Sequence, residues 1–351
     1  MHMADALVSP AVGGMMIAVS GAALALTIRK GQRERRLEEE RIPVMGVMSA
    51  FVFAAQMINF TIPGTGSSGH IGGGILLAAL LGGGPALLCM TAVLIIQCLI
   101  FADGGLLALG CNVFNMGVIP CLVAYPLLYK PLMKKGASAR SIALASVITA
   151  VAGLQLGALF VVLETLASGI TQLPFGSFLL LMQPIHLAIG IAEGLITAAV
   201  LSYVNSARPE LMHGALTARS LGARLSMKKV LAVLGLLTLL VGGGLSLFAS
   251  SYPDGLEWSV DGVLRQRETA ETAATAGGEA ADELREIKAA GAVHDAFAGI
   301  QEATSVMPDY AFKDSGSAAG TSVAGVVGSA VTMLLAGGAG ILISKAKRKA
   351  A

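Results

Sequence analysis

An all-α polytopic membrane protein of about nine transmembrane helices is the fold class this sequence predicts, on three observations. First, the 351 residues are 55% hydrophobic and 13% charged, about half the usual charged share. So few charges cannot cover a soluble surface of this size. Second, eight apolar runs are long enough to cross a hydrocarbon core of about 30 Å. They fall at 10–28, 42–62, 85–101, 106–129, 142–166, 176–204, 230–249 and 321–343. Third, positive charge is segregated. Six basic residues fill 29–41, four fill 130–140, five fill 208–229 and four fill 345–349, while 62–70, 102–105 and 167–175 contain no Lys or Arg.

A ninth apolar run, 71–84, is settled by that segregation. Joined to 85–101 it makes 31 residues, about 46 Å of helix and too long for one upright crossing. Gly82-Gly83-Gly84-Pro85 is where such a helix breaks. Splitting there puts every basic segment on the cytoplasmic side, as the positive-inside rule requires. The expected topology is a multi-pass protein of the cytoplasmic membrane, N-terminus outside and C-terminus inside. The first span is not read as a cleaved signal peptide, because its positive charges follow the apolar run rather than precede it. Met1 is expected to stay, since the bulky His2 follows it.

Net charge is +2, which gives a nucleic-acid partner no support; the expected surroundings are the lipid bilayer. The four cysteines lie in apolar runs without a CxxC pair, so a disulfide framework is not expected. Residues 1–207 read as a seven-span module, 208–229 as a basic cytoplasmic linker, and 230–351 as a two-span hairpin. The hairpin encloses an external insert, 250–319, with thirteen acidic and five basic residues. That insert reads as a solvated spacer with helical character over 265–299.

Chemistry concentrates at the N-terminus, Met1-His2-Met3-Ala4-Asp5. The α-amine, the backbone nitrogen of His2 and its imidazole can chelate one ion in fused small rings. Binding an amide nitrogen requires its deprotonation and favours Ni²⁺ or Cu²⁺; a fourth nitrogen would complete a tetragonal plane. His70, in the glycine-rich turn 63–70 on the same outer face, is the natural fourth. Asn112 and Asn115 share a face of the fifth span, and read either as interhelical hydrogen-bonding groups or, with Ser68, as supports for the metal-site loop. His186 and Glu193 lie two turns apart on the seventh span, with Glu164 on the sixth. Their spacing fits no one-turn metal motif, so they read as packing or gating residues, although ionisable groups within a membrane are functional candidates. HExxH, a serine elbow and GxxxxGK[ST] are all missing from the sequence, so neither an enzyme nor a nucleotide-hydrolysing chain is expected.

At these residues the chain resembles a known family. Its opening, Met1 to Pro10, resembles the "MHIxDGxLSP" start of the substrate-binding M component of nickel/cobalt transporters of the energy-coupling factor type. Ala6 stands where that pattern has glycine. The segments 66–74, 103–117 and 186–197 resemble further signatures of that family. Ser251–Trp258 and Met307–Tyr310 resemble the accompanying N component, so the chain looks like a natural M–N fusion. The resemblance implies a planar nitrogen site on Met1, His2 and His70, and nickel or cobalt as cargo rather than as a catalytic cofactor. It also implies two kinds of partner, a transmembrane coupling subunit and a pair of cytoplasmic ATPases. The expected function is the substrate-capture subunit of an ATP-driven nickel or cobalt uptake transporter. The competing expectation is a self-sufficient secondary cation transporter that uses His186, Glu193 and Glu164.

Overall fold

The structure, a computed structural model, describes residues 1–33, 41–171, 173–212, 226–274, 291–313 and 318–348. Each of the nine apolar segments contributes a helix. They form α1 (Pro10–Arg33), α2 (Ile42–Gln56), α3 (Gly74–Leu81), α4 (Gly83–Phe101), α5 (Leu109–Leu132), α6 (Ala139–Ser168), α7 (Phe175–Ala207), α8 (Met227–Gly243) and, after two helices of the insert, α11 (Ala318–Arg348). Seven of them (α1, α4 to α8 and α11) are long and apolar enough to cross a membrane. Large apolar side chains such as Leu26, Leu127, Leu180 and Leu334 face outward, as they do where lipid replaces water.

The expected break falls at Gly82, which adopts φ +83° between α3 and α4. Pro85 then lies in the first turn of α4, where its missing N–H costs nothing. All eight residues of α3 are buried, so this short helix is shielded by protein. The second apolar run departs from a single long helix. α2 stops at Gln56, and the chain turns into a hairpin of β1 (Phe60–Ile62) against β2 (Ser67–Gly69), with Thr61 opposite Ser68. The β-branched pair Thr61-Ile62 and the Pro63-Gly64 turn favour extended backbone there. Over Phe114–Tyr129 helix α5 is a π-helix, and it contains Pro120 and Pro126, residues that remove donors from the helical ladder.

Helices α6 and α7 pack along their length, closely enough that a Cβ on Gly190 would stand 2.9 Å from Val151 Cα. Such small-residue contacts let backbones approach where lipid provides no hydrophobic drive. Gly73 is more constrained still. It has φ +78°, and a Cβ there would meet Val52 Cγ1 at 2.6 Å. Gly73→Ala should therefore destabilise the fold by about 1–3 kcal/mol, seen as a lower unfolding midpoint in detergent.

The insert supplies α9 (Gly255–Ala274) and α10 (Ala292–Thr304). Its described part corrects the reading of a solvated spacer. Helix α9 packs on α7, and the insert returns hydrogen bonds to the first module. Gln301 Nε2 donates to Gly104 O at 2.7 Å, and the Val306 and Met307 amides donate to Ile100 O. Residues 34–40 of the first basic cluster, 213–225 of the linker, 275–290 of the insert and the basic C-terminal residue Lys349 lie outside the described residues.

Candidate metal centre

The N-terminal arm, the β1–β2 hairpin, the start of α5 and the Pro253-Asp254 segment meet at one end of the bundle. Met1 is buried, and its amine donates to Asp254 Oδ2 at 2.7 Å while lying 3.5 Å from His70 Nε2. The His2 ring stacks on His70, with centroids 5.1 Å apart and planes 25° from parallel. Nitrogens about 2.0 Å from one ion sit about 2.8 Å apart when adjacent, so closing the amine–His70 gap by about 0.7 Å would seat both. Met1, His2 and His70, 69 residues apart at the extremes, thus converge as expected.

What holds the arm is mostly amide chemistry. Asn112 Oδ1 accepts from Met3 N at 2.7 Å, and its Nδ2 donates to Met3 O at 3.2 Å. Asp5 Oδ1 accepts from Ala108 N, so a carboxylate and an amide fix consecutive parts of the arm to the start of α5. Asn115 stands one step back, donating to Glu164 Oε2 at 2.8 Å and reaching the Met3 sulfur at 3.9 Å. Ser68 does something other than expected. Its hydroxyl donates to Tyr252 O and Pro253 O, and its amide to Pro253 O. It anchors the segment that presents Asp254, while His70 Nδ1 bonds to the neighbouring Ile71 O at 3.1 Å.

Sequence reasoning missed a polar relay. Gln56 Nε2 donates to Gly72 O, Gln97 Nε2 donates to Gln56 Oε1, and Gln97 Oε1 lies 3.1 Å from His2 Nε2. Since both glutamine amides are committed as donors, Gln97 Oε1 must accept, which puts the His2 proton on Nε2 and leaves Nδ1 as a lone pair. That Nδ1 faces Asp103 Oδ1 at 3.3 Å, and Tyr310 donates to the other oxygen at 2.5 Å. Single glutamines in otherwise apolar spans were the available signal.

Electrostatics keep the nitrogens free. Burial, and then the nearby Met1 ammonium, hold the His70 imidazole down at about 3, and burial likewise lowers that of His2. Both rings are therefore neutral at neutral pH. For Asp254, burial pushes upward, but the Met1 ammonium, by its charge and its hydrogen bond, outweighs it and holds the carboxyl well below its usual range. Among the described residues no group of three or more His, Cys, Asp or Glu side chains is arranged to hold a metal ion. A nitrogen site here has to draw on the main chain and the amine.

The other ionisable candidates are not joined to one another. Glu193 spends both oxygens on the Gly72 and Gly73 amides, at 2.7 and 3.0 Å, capping α3. Glu164 bonds Asn115, and His186 Nδ1 bonds Met182 O at 2.8 Å. A proton relay through all three finds no hydrogen-bonded path among the described residues. All four cysteines are buried free thiols.

Residues 2–211 match the cobalt uptake substrate-specific transmembrane region, and residues 228–290 and 271–345 match the PDGLE domain. A putative metal transport protein of Haloquadratum walsbyi is 38% identical over 60% of this chain and 93% of its own length. A putative fused nickel transport protein of Archaeoglobus fulgidus is 37% identical, over 60% of this chain and 68% of its own. A probable fused nickel transport protein of Lactiplantibacillus plantarum is 30% identical, over 68% and 75%. The crystal structure of a truncated transition metal transporter superposes with a TM-score of 0.52 at 30% identity, covering 59% of this chain and 99% of that one. The chain belongs to the family of the cobalt uptake substrate-specific transmembrane region, joined in one polypeptide to a PDGLE domain.

Proposed function

We propose that this chain is the substrate-capture subunit of an ATP-driven nickel or cobalt uptake transporter. It takes the ion from the outer side of the cytoplasmic membrane, with the N-terminus outside and the C-terminus inside. The observation that carries this reading is the buried convergence of the Met1 amine, His2 and His70. The Met1 amine, the His2 amide nitrogen and imidazole, and His70 Nε2 would form a plane of four nitrogens, which suits Ni²⁺. Residues 1–207 form the capturing module, and 230–351 form a second module that reaches it through Asp254, across the basic linker 208–229. The chain performs no catalysis; a coupling subunit and two cytoplasmic ATPases supply the work of release. Fused nickel transport proteins among the relatives support the cargo and the two-module arrangement.

The test is metal analysis of the purified chain with nickel and cobalt in competition, alongside intact mass to establish that Met1 bears the free amine. One equivalent of nickel with the spectrum of planar Ni(II) is expected. Uptake into vesicles should require ATP and the partner subunits; uptake by the chain alone would favour the secondary-transport reading instead. Asn112→Ala removes both hydrogen bonds that fix Met3 and should weaken nickel binding by about 10–100-fold, read by calorimetric titration. Asn115→Ala, one step farther from the arm, should lose less.

A further inference from the structure

Beneath the N-terminal site lies a cavity lined by Met1, His70, Met116, Leu154, His186 and Asp254, among others. A second cavity shares Met1, Gly72, Met116 and Leu154 with it and continues to Asn115 and Glu193. Along α7, His186 to Glu193 is seven residues, about 10 Å of helix, so the pair of cavities runs from the N-terminal site toward the cytoplasmic end of the proposed topology. His186 is 1% exposed. Its Nδ1 is engaged by Met182 O at 2.8 Å, which makes Nδ1 the donor and Nε2 a lone pair. That Nε2 has no hydrogen-bond partner among the described residues. The ring edge beside it faces the PDGLE segment, where a Cβ on Gly255 would stand 3.2 Å from His186 Cε1.

Leaving a buried imidazole nitrogen without a partner is unfavourable, so an acceptor kept in this position calls for a use. The cavity it lines already touches two of the proposed ligands, Met1 and His70, and holds the soft side chain of Met116 as well as a carboxylate. Imidazole and thioether are ligands that borderline divalent ions accept. A second site of fewer and softer ligands binds more weakly than a four-nitrogen plane, which is what an ion leaving a tight site needs.

We propose that His186 Nε2 is a relay ligand, the first station that takes the divalent ion from the N-terminal site on its way inward, with Met116 lining the same station. The inference rests on the capture reading above. The transfer is a ligand exchange without change of oxidation state, and the His2 amide regains its proton from water as the ion departs.

The test uses full-length protein, Ni²⁺ as the probe, and three variants. In His186→Gln the planar Ni(II) spectrum and affinity should stay within about threefold of the parent, while uptake with all partner subunits falls at least about tenfold. His186→Met keeps a soft ligating atom at similar size and should recover a substantial part of that uptake; equal loss in Gln and Met would mark the ring as packing and overturn the proposal. In a His2→Ala background, residual weak nickel binding should drop by a further factor of about ten when His186→Gln is added. Unchanged uptake in His186→Gln, or residual binding indifferent to it, would also overturn the relay. Failure of the capture reading shows separately, as a parent protein without the planar spectrum.

Discussion

His70→Ala should weaken nickel binding by more than about 100-fold, roughly 2.8 kcal/mol, while the protein stays folded. His70 sits in a loop after the β1–β2 hairpin, its ring stacks on His2 and it borders a cavity, so its removal leaves the contacts between helices in place. The remaining amine, amide and His2 imidazole leave one position of the plane to water. Displacing the amine should cost at least as much, but the extension must be chosen with care. One added residue would place the histidine third in the chain, and a terminus of that kind offers four nitrogens of its own. A two-residue extension avoids this substitute chelate and also breaks the contact between the amine and Asp254. Bound nickel per protein at matched purity, with size-exclusion profiles as the control on folding, is the measurement. Retention of parental affinity in both variants would remove the site.

Much of this was legible in the sequence, for identifiable reasons. Crossing a bilayer imposes length and apolarity segment by segment, so nine helices could be read locally, including the break at Gly82 that separates α3 from α4. The early end of α2 was harder. Apolarity continues through Ile62, and the strand forms because a partner, Ser67–Gly69, is available across a turn. The meeting of Met1, His2 and His70 could be anticipated because Met1 and His2 are covalent neighbours and the glycine-flanked His70 was expected on the same face. The Gln56–Gln97 relay was not legible, since each glutamine gains meaning only when two helices, the N-terminal arm and the His70 loop close on one another. Ser68 was read as a support of the metal-site loop, and what it bonds was not legible, since its hydroxyl holds a segment 184 residues away.

That segment makes the second large prediction. Asp254 belongs to the insert, which the sequence presented as a solvated spacer. In the structure its carboxylate lies 2.7 Å from the Met1 amine and 4.0 Å from His70 Nε2, close enough to act on an ion seated between them. A divalent ion bound through one deprotonated amide leaves a net charge of about +1 in a largely buried site. A carboxylate some 4 Å away offsets that charge by about 4 kcal/mol at an effective dielectric constant near 20. Asp254 is 15% exposed, so water would replace part of this attraction once the carboxylate is gone. Asp254→Ala should thus weaken nickel binding by about tenfold, near 1.4 kcal/mol, and reduce uptake accordingly. Truncation after Ala207 should leave a folded first module, because the helices α1 to α7 lie within it. It should lose the same factor of about ten, because Asp254 is the contact common to both changes. Equilibrium binding on the two proteins side by side is decisive. Parental affinity in both would make Asp254 a latch on the empty amine alone, and a much larger loss on truncation would point to a further ligand in the insert.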